Sequence, residues 1–182
     1  MQAKRSLPGF ARFTRFAWVF TLATLLALTL PLRAMSQDLA SPKGEVLLTI
    51  SGAVVNTNDG FEAKFDRAML EALEKVEFET TTIWTDGVQT FTGVPLATLM
   101  EVVGARGDVL MATAINDYGV EIPRSDWVKG GPIVAYLRNG QEMSVRTKGP
   151  LWIVYPYDTN TAYQGEITYA RSIWQLNRIE VK

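Results

Sequence analysis

Apolar residues recur at helical spacing in two segments of the chain. In the first, Asp66 is a typical N-terminal capping residue, and the spacing predicts a helix over residues 67–75. The apolar residues on one face of this helix are Met69, Leu70, Leu73 and Val76. In the second segment, Pro95 occupies the first helical position and Gly104 ends the helix. Its buried face is predicted to contain Leu96, Leu99, Met100 and Val103.

Short apolar runs rich in β-branched residues, separated by turn residues, predict strands along the rest of the chain. These runs cover residues 45–55, 77–83, 109–114, 120–123, 133–137, 142–145, 151–155 and 178–181. Asn139 and Gly140 form the strongest hairpin signal. Because the helices do not alternate regularly with the strands, the pattern argues against a doubly wound parallel sheet. We predict a single α+β domain with a mixed β-sheet and a few short helices.

The first 36 residues have the pattern of a secretory signal peptide. They contain five basic residues and no acidic one, and their apolar stretch, 16–30, is shorter than the roughly 20 residues of a membrane span. Residues 34–36 (AMS) have small residues at the positions of a cleavage site, and an uncleaved membrane anchor is the alternative. The absence of an Arg-Arg pair favours the general secretion route.

This pattern divides the chain into a signal peptide over 1–36, a polar leader over 37–44 and a domain over 45–182, exported to the periplasm. Export also changes the charge balance. Of the 18 basic and 19 acidic residues in the chain, 13 basic and all of the acidic ones follow position 36, which gives a net charge near −6. A domain of this charge without a basic run is a poor nucleic-acid binder, so we predict no nucleic-acid partner.

The chain contains no cysteine and no histidine. Thiolate and imidazole metal sites, cysteine nucleophiles and Ser-His-Asp triads are therefore excluded. Carboxylate pairs such as Asp117 and Glu121 remain, but such pairs arise by chance among 19 acidic residues. Ser125 and Lys129 are spaced for a helical pair, but the glycines and proline that follow argue against a helix. The composition favours binding over catalysis.

Aromatic residues near strand ends indicate a different chemistry. Trp84 and Tyr118 each follow a predicted strand, where side chains line the mouths of binding sites. Flat rings beside acidic and amide side chains suit a flat heterocycle, which stacks on the rings and donates its N–H groups to a carboxylate. The alternative is that these aromatic residues are ordinary core and rim residues.

Four segments have a recognisable order: residues 91–96 (FTGVPL), 114–118 (AINDY), 149–156 (GPLWIVYP) and 171–174 (RSIW). Together they resemble the sulfite-oxidase-type molybdopterin-binding domain, over about 45–182, and the resemblance implies a sulfite-oxidase-like fold. Enzymes of that family hold molybdenum through a cysteine about ten residues before the first segment, where this chain has Thr80, Thr81 and Thr82. A hydroxyl is a poor substitute for a soft thiolate, so the departure implies that redox catalysis is absent.

The sequence is similar to small, cysteine-free periplasmic members of this fold that resemble pterin-binding proteins. That similarity implies a non-catalytic protein that binds a pterin or a similar heterocycle and carries no covalent or metallic cofactor. It further implies a partner, the periplasmic domain of a membrane cyclic-di-GMP enzyme or kinase. Two alternatives stay open. One is a molybdopterin-dependent oxidoreductase with an unusual ligand, and the other is an interaction module with an empty site that docks a partner through its acidic face and the loop 157–163.

By position, the resemblance implies a set of ligand-binding residues: Trp84, Asn116, Asp117, Tyr118, Tyr155 and Arg171. Trp84 and Tyr118 are expected to stack on the ring. Asp117 is expected to accept from the 2-amino and N3 groups with help from Asn116, while Tyr155 and Arg171 flank the ring or its side chain. As alternatives, Asp117 caps its own turn, and Arg171 pairs with a structural acidic residue.

Overall fold

The computed structural model describes residues 39–182, and the predicted signal peptide lies outside the described residues. Ten strands within this range form two sheets. They are β1 (Val46–Gly52), β2 (Ala63–Asp66), β3 (Val76–Thr81), β4 (Val88–Pro95), β5 (Val109–Ala114), β6 (Gly119–Pro123), β7 (Ile133–Arg138), β8 (Gln141–Glu142), β9 (Trp152–Val154) and β10 (Leu176–Val181). The α-helices of this range are α1 (Arg67–Glu71), α2 (Leu96–Val102) and α3 (Glu166–Arg171).

The two sheets differ in strand direction. The first has the order β2-β1-β10-β5-β6, in which β1 and β10 run parallel and the other neighbours antiparallel. The second has the order β3-β4-β7-β8, with β9 also paired to β7, and is antiparallel throughout. Residues 39–182 therefore form one α+β domain with a mixed sheet and a few short helices, and this prediction is confirmed.

Asp66 caps α1 as the sequence predicts. One oxygen of its carboxylate accepts a hydrogen bond from the backbone N–H of Met69 at 2.9 Å. The other oxygen accepts from the N–H groups of Lys43 and Gly44 at 2.7 and 2.8 Å, so the same side chain fixes the predicted leader to the domain. The helix ends at Glu71 instead of residue 75, and the chain turns over residues 72–75 before β3 begins at Val76 and pairs with β4.

The second predicted helix is confirmed, but it begins at Leu96, because Pro95 has an extended backbone as the last residue of β4 and is the N-cap instead of the first helical residue. Leu96, Leu99 and Met100 are buried in α2, and Gly104 follows the helix with a φ of 62°. Sequence periodicity misses β2, β4 and α3. The strand β4 is paired on both sides, with β3 and with β7, and these partners come from distant parts of the chain.

Both sheets contribute to the core, which includes Ile50 and Leu110 of the first sheet and Phe91 of the second. The four residues 152–155 are all fully buried, although alternation along a strand predicts two opposite faces, because both faces of β9 are covered. Trp152 packs edge-on against Phe91 of β4 at 5.3 Å between ring centroids, and its backbone bridges to Trp174. Among residues 39–182, no helix is both long and apolar enough to cross a membrane.

Candidate functional site

A cavity of about 410 Å³ opens at one end of the first sheet. Its walls come from the loop after β3, from the turn between β5 and β6, and from the segment that joins α3 to β10. Four aromatic residues line it: Trp84, Tyr118, Tyr169 and Trp174. The volume lies within the range of about 300–1,000 Å³ that small-molecule sites occupy.

Trp84 lies at the centre of an aromatic cluster that forms the cavity wall. Its ring makes edge contacts with the rings of Trp174 at 5.4 Å, Tyr169 at 5.8 Å, Trp152 at 5.8 Å and Tyr157 at 6.4 Å between centroids. Edge-to-face packing of this kind is favourable because the positive ring edge meets the negative face. Trp84 is therefore held in one orientation before any ligand arrives.

Threonine hydroxyls hold the loop that carries Trp84. The Oγ1 atom of Thr82 accepts from the backbone N–H of Trp84 at 3.1 Å and lies 2.7 Å from the hydroxyl of Thr85. One residue earlier, at the end of β3, the backbone N–H and the hydroxyl of Thr81 both donate to the carboxylate of Asp158, at 2.6 and 2.8 Å. These hydrogen bonds lower the pKa of Asp158 and fasten the loop to residues that follow β9.

Asn116, Ser172 and Gln175 provide the polar part of the lining. The Oδ1 atom of Asn116 accepts from the backbone N–H of Tyr118 at 3.2 Å, which leaves its amide N–H groups for a ligand. The hydroxyl of Ser172 accepts from Tyr157 and donates to the carbonyl of Thr168. Both hydrogen bonds stabilise the wall, so this hydroxyl is already engaged by the protein. Asn116 and Gln175 are therefore the amide groups that a ligand can meet.

Three of the predicted site residues line the cavity together: Trp84, Asn116 and Tyr118. Asp117, between two of them, does not. Its side chain is 81% exposed and pairs with Arg178 on β10, and its backbone φ is 66°. The alternative of Asp117 capping its own turn is not seen either, because Asn116 makes that hydrogen bond.

Tyr155 and Arg171 lie behind the wall. Tyr155 is fully buried, and its hydroxyl donates to the carboxylate of Asp126 at 2.8 Å. Arg171 pairs with the same carboxylate at 3.1 Å, which is the alternative pairing with a structural acidic residue. Burial and the adjacent Asp126 raise the pKa of Tyr155, so its hydroxyl stays protonated as a donor. The contacts of Tyr155 and Arg171 with Asp126 connect α3 to the 3-10 turn that follows β6.

Tyr169, Trp174 and Gln175 line the cavity but are missing from the predicted set. Trp174 is the last residue of the RSIW segment. The resemblance pointed to this segment but assigned the ligand-binding role to Arg171 instead of Trp174. Tyr169 lies on α3, the helix that periodicity misses. Nothing in the local sequence marks Gln175, whose backbone φ of 55° places it just before β10.

No charged side chain belongs to the described lining of the cavity. The ammonium group of Lys148 lies 4.0 Å from the ring centroid of Trp174, which is a close cation–π contact. Burial, with a smaller contribution from Arg138, lowers the pKa of Lys148. A neutral, aromatic and amide-bearing cavity suits an uncharged planar ligand, because a charged ligand would lose its hydration without gaining a counter-ion.

Neither a protein-family model nor a curated protein matches the chain. Within the described residues there is also no group of three or more His, Cys, Asp or Glu side chains placed to hold a metal ion.

Proposed function

We propose that this protein binds a pterin or a similar flat heterocycle in the aromatic cavity without transforming it. The observation that carries the proposal is the cavity lining, in which aromatic rings surround the space and Asn116 and Gln175 present amide groups. The rings supply stacking surface, and amides pair with the adjacent N–H and carbonyl or imine groups at the edge of a pterin. Asn116 and Gln175 provide the hydrogen bonds to the edge of the ring that the sequence analysis expected from Asp117.

We also propose that the domain has a sulfite-oxidase-like fold. Two of the segments that carry the resemblance, 114–118 and 171–174, supply residues to the cavity wall. Their convergence on one site from distant parts of the chain supports a shared architecture with that family.

The residues present do not fit the molybdenum centre that the resemblance implies. At the position of the metal-binding thiolate, Thr80 is fully buried and its hydroxyl accepts from the backbone N–H of Asp158 at 3.2 Å. Thr81 and Thr82 are engaged in the loop contacts described above. These hydroxyls shape the wall of the cavity and leave no soft ligand for the metal, in agreement with a non-catalytic role.

The cellular role follows from the predicted signal peptide and from the resemblance. We propose that the protein is exported to the periplasm by the general secretion route. There the pterin-bound form regulates the periplasmic domain of a membrane cyclic-di-GMP enzyme or kinase. In this scheme the protein reports the presence of its ligand and the membrane partner produces the output.

Direct binding of pterin tests the proposal. The purified protein is titrated into unsubstituted pterin, and the quenching and polarisation of the pterin's intrinsic fluorescence are followed. We expect saturable binding in the micromolar range, about −8 kcal/mol, because stacking and amide contacts act together. Binding no tighter than about 1 mM, roughly −4 kcal/mol, for both the oxidised and the tetrahydro form would overturn the proposal.

A further inference from the structure

Gln175 joins the aromatic cavity to a segment on the surface, residues 144–148. Its amide Nε2 donates to the backbone carbonyl of Val145 at 2.8 Å, and its backbone N–H donates to the carbonyl of Lys148 at 3.0 Å. Its own carbonyl accepts from Ile115 in the β5–β6 turn at 2.9 Å. One residue of the cavity wall thus contacts both the segment and the turn that carries Asn116.

The neighbouring residue makes a second connection to the same segment. Trp174 lines the cavity, and the ammonium group of Lys148 lies over its ring. Two successive wall residues therefore hold the two ends of a single turn of 3-10 helix, Val145–Thr147. The position of the segment depends directly on the position of the cavity wall.

The amide of Gln175 is only partly used by the protein. A glutamine amide has two N–H donors and an oxygen acceptor. One donor is bonded to Val145, while Oε1 and the second donor have no hydrogen-bond partner among residues 39–182. A donor and an acceptor side by side match the edge of a planar heterocycle, as when glutamine pairs bidentately with adenine.

The segment has the properties of a contact surface. Its residues 144–147 are exposed, and they include the apolar Val145 and the basic Arg146. Two hydrogen bonds onto the carbonyl of Ser144, from the N–H groups of Thr147 and Gly149, close the turn at 2.9 and 2.8 Å. A partner that binds this segment would therefore sense whether it is held against the cavity wall.

We propose that Gln175 recognises the ligand and couples its binding to the segment 144–148. The inference rests on the proposed function. When a pterin edge occupies the free donor and acceptor of Gln175, the side chain is fixed in the orientation that holds Val145. The ligand-bound state then favours the conformation in which segment 144–148 is held against the cavity wall. A partner that prefers this conformation raises pterin affinity by the same factor by which pterin raises the affinity for the partner.

Hydrogen exchange of the full chain with and without saturating pterin tests the coupling. The amides of Thr147 and Gly149 report on the segment, since each donates within it. In the unmodified protein we expect pterin to slow exchange of both amides about threefold to tenfold. In Gln175→Met, which keeps the length and removes the amide, we expect no slowing and a pterin affinity about fivefold to tenfold lower.

Gln164→Met is the matched control. The amide of Gln164 also donates to a backbone carbonyl, that of Tyr157 at 3.0 Å, but Gln164 does not line the cavity. This variant is expected to keep both the affinity and the slowing of exchange. If Gln175→Met fails to fold, Gln175→Gly replaces it, because glycine accepts the φ of 55° without strain.

The outcomes separate the two proposals. If the unmodified protein fails to bind pterin, the proposed function and this inference both fall. If it binds pterin and the exchange of Thr147 and Gly149 is unchanged, or if Gln175→Met behaves as the unmodified protein does, the inference alone is overturned. Slowing in the unmodified protein and in Gln164→Met, with none in Gln175→Met, supports it.

Discussion

Tyr118 and Tyr155 show how burial decides the role of an aromatic residue. Tyr118 is 57% exposed, lines the cavity and has no ring partner among residues 39–182. Tyr155 is fully buried, packs against Tyr157 and Tyr163, and donates to Asp126. The first ring is available to a ligand, and the second contributes to the stability of the wall.

Replacing Tyr118 is therefore expected to affect binding more than folding. Tyr118→Ala should lower pterin affinity about tenfold, since stacking on an aromatic side chain is worth about 1–3 kcal/mol per ring. The free energy of unfolding should change by less than about 0.5 kcal/mol, as at other exposed positions. Phe61→Ala is the control, because Phe61 is 92% exposed and does not line the cavity. Equal affinities of the two variants would contradict the stacking role.

Tyr155→Phe should give the opposite result. Loss of a buried hydrogen bond to the carboxylate of Asp126 is expected to lower the free energy of unfolding by about 1–2 kcal/mol. Pterin affinity should stay within about twofold of the unmodified value, because the hydroxyl does not face the cavity. Urea denaturation and pterin titration measure the two quantities. A tenfold loss of affinity at unchanged stability would place Tyr155 in contact with the ligand after all.

At the scale of elements, the junction of β2 and α1 depends on one carboxylate. Asp66 is 3% exposed and accepts hydrogen bonds from three backbone N–H groups, of Met69, Gly44 and Lys43. These bonds favour the ionised form and hold the pKa of Asp66 below its usual range. A helix of five residues is too short to form alone, so this cap is a large part of what defines α1.

The lowered pKa gives the junction a pH dependence. Asp66 stabilises the fold fully above the pKa of an unfolded aspartate, near 3.9, and the stabilisation is lost as the pH falls through the lower pKa of the folded state. Asp66→Asn has one acceptor oxygen for three donors, so it should be less stable at neutral pH. The difference in unfolding free energy between the two proteins should shrink below about pH 4, measured by urea denaturation. A difference independent of pH would contradict this account.

Sequence patterns predicted the elements that carry their own signals and missed those defined by distant partners. Asp66 marks α1 and Gly104 ends α2, as expected from local chemistry. The strand β4 is fixed by pairing with β3 and β7 on its two sides. In the site, Trp84 was found because it follows a strand, whereas Asp117 was misplaced because its pairing with Arg178 spans 61 positions.

The whole molecule combines an acidic chain with an uncharged cavity. Residues 37–182 have a net charge near −6, yet the described lining of the cavity contains no charged side chain. The charges of Arg171 and Asp126 are paired behind the wall, and those of Asp117 and Arg178 are paired at the surface. The overall field repels anions and no local cation in the lining offsets it.

Pterin binding should therefore depend little on salt and should disfavour anionic ligands. Between about 0.02 M and 0.5 M sodium chloride, affinity for unsubstituted pterin should change less than about twofold, since no exposed ion pair contributes. A pterin carrying a phosphate monoester should bind more weakly, with affinity that rises with salt as repulsion is screened. Fluorescence titration measures both. Tighter binding of the phosphate ester, weakened by salt, would reveal a cation in the bound site.

The strand order of the first sheet also limits when that sheet can form during folding. β10 lies between β1 and β5 but follows both in the chain, so until it is made the β1–β2 and β5–β6 hairpins have no common neighbour. Closing a sheet through partners so far apart in sequence is slow, because the loops must be ordered before the contacts form. A chain that has not yet reached β10 cannot complete the first sheet, which is compatible with the general-secretion export that we propose.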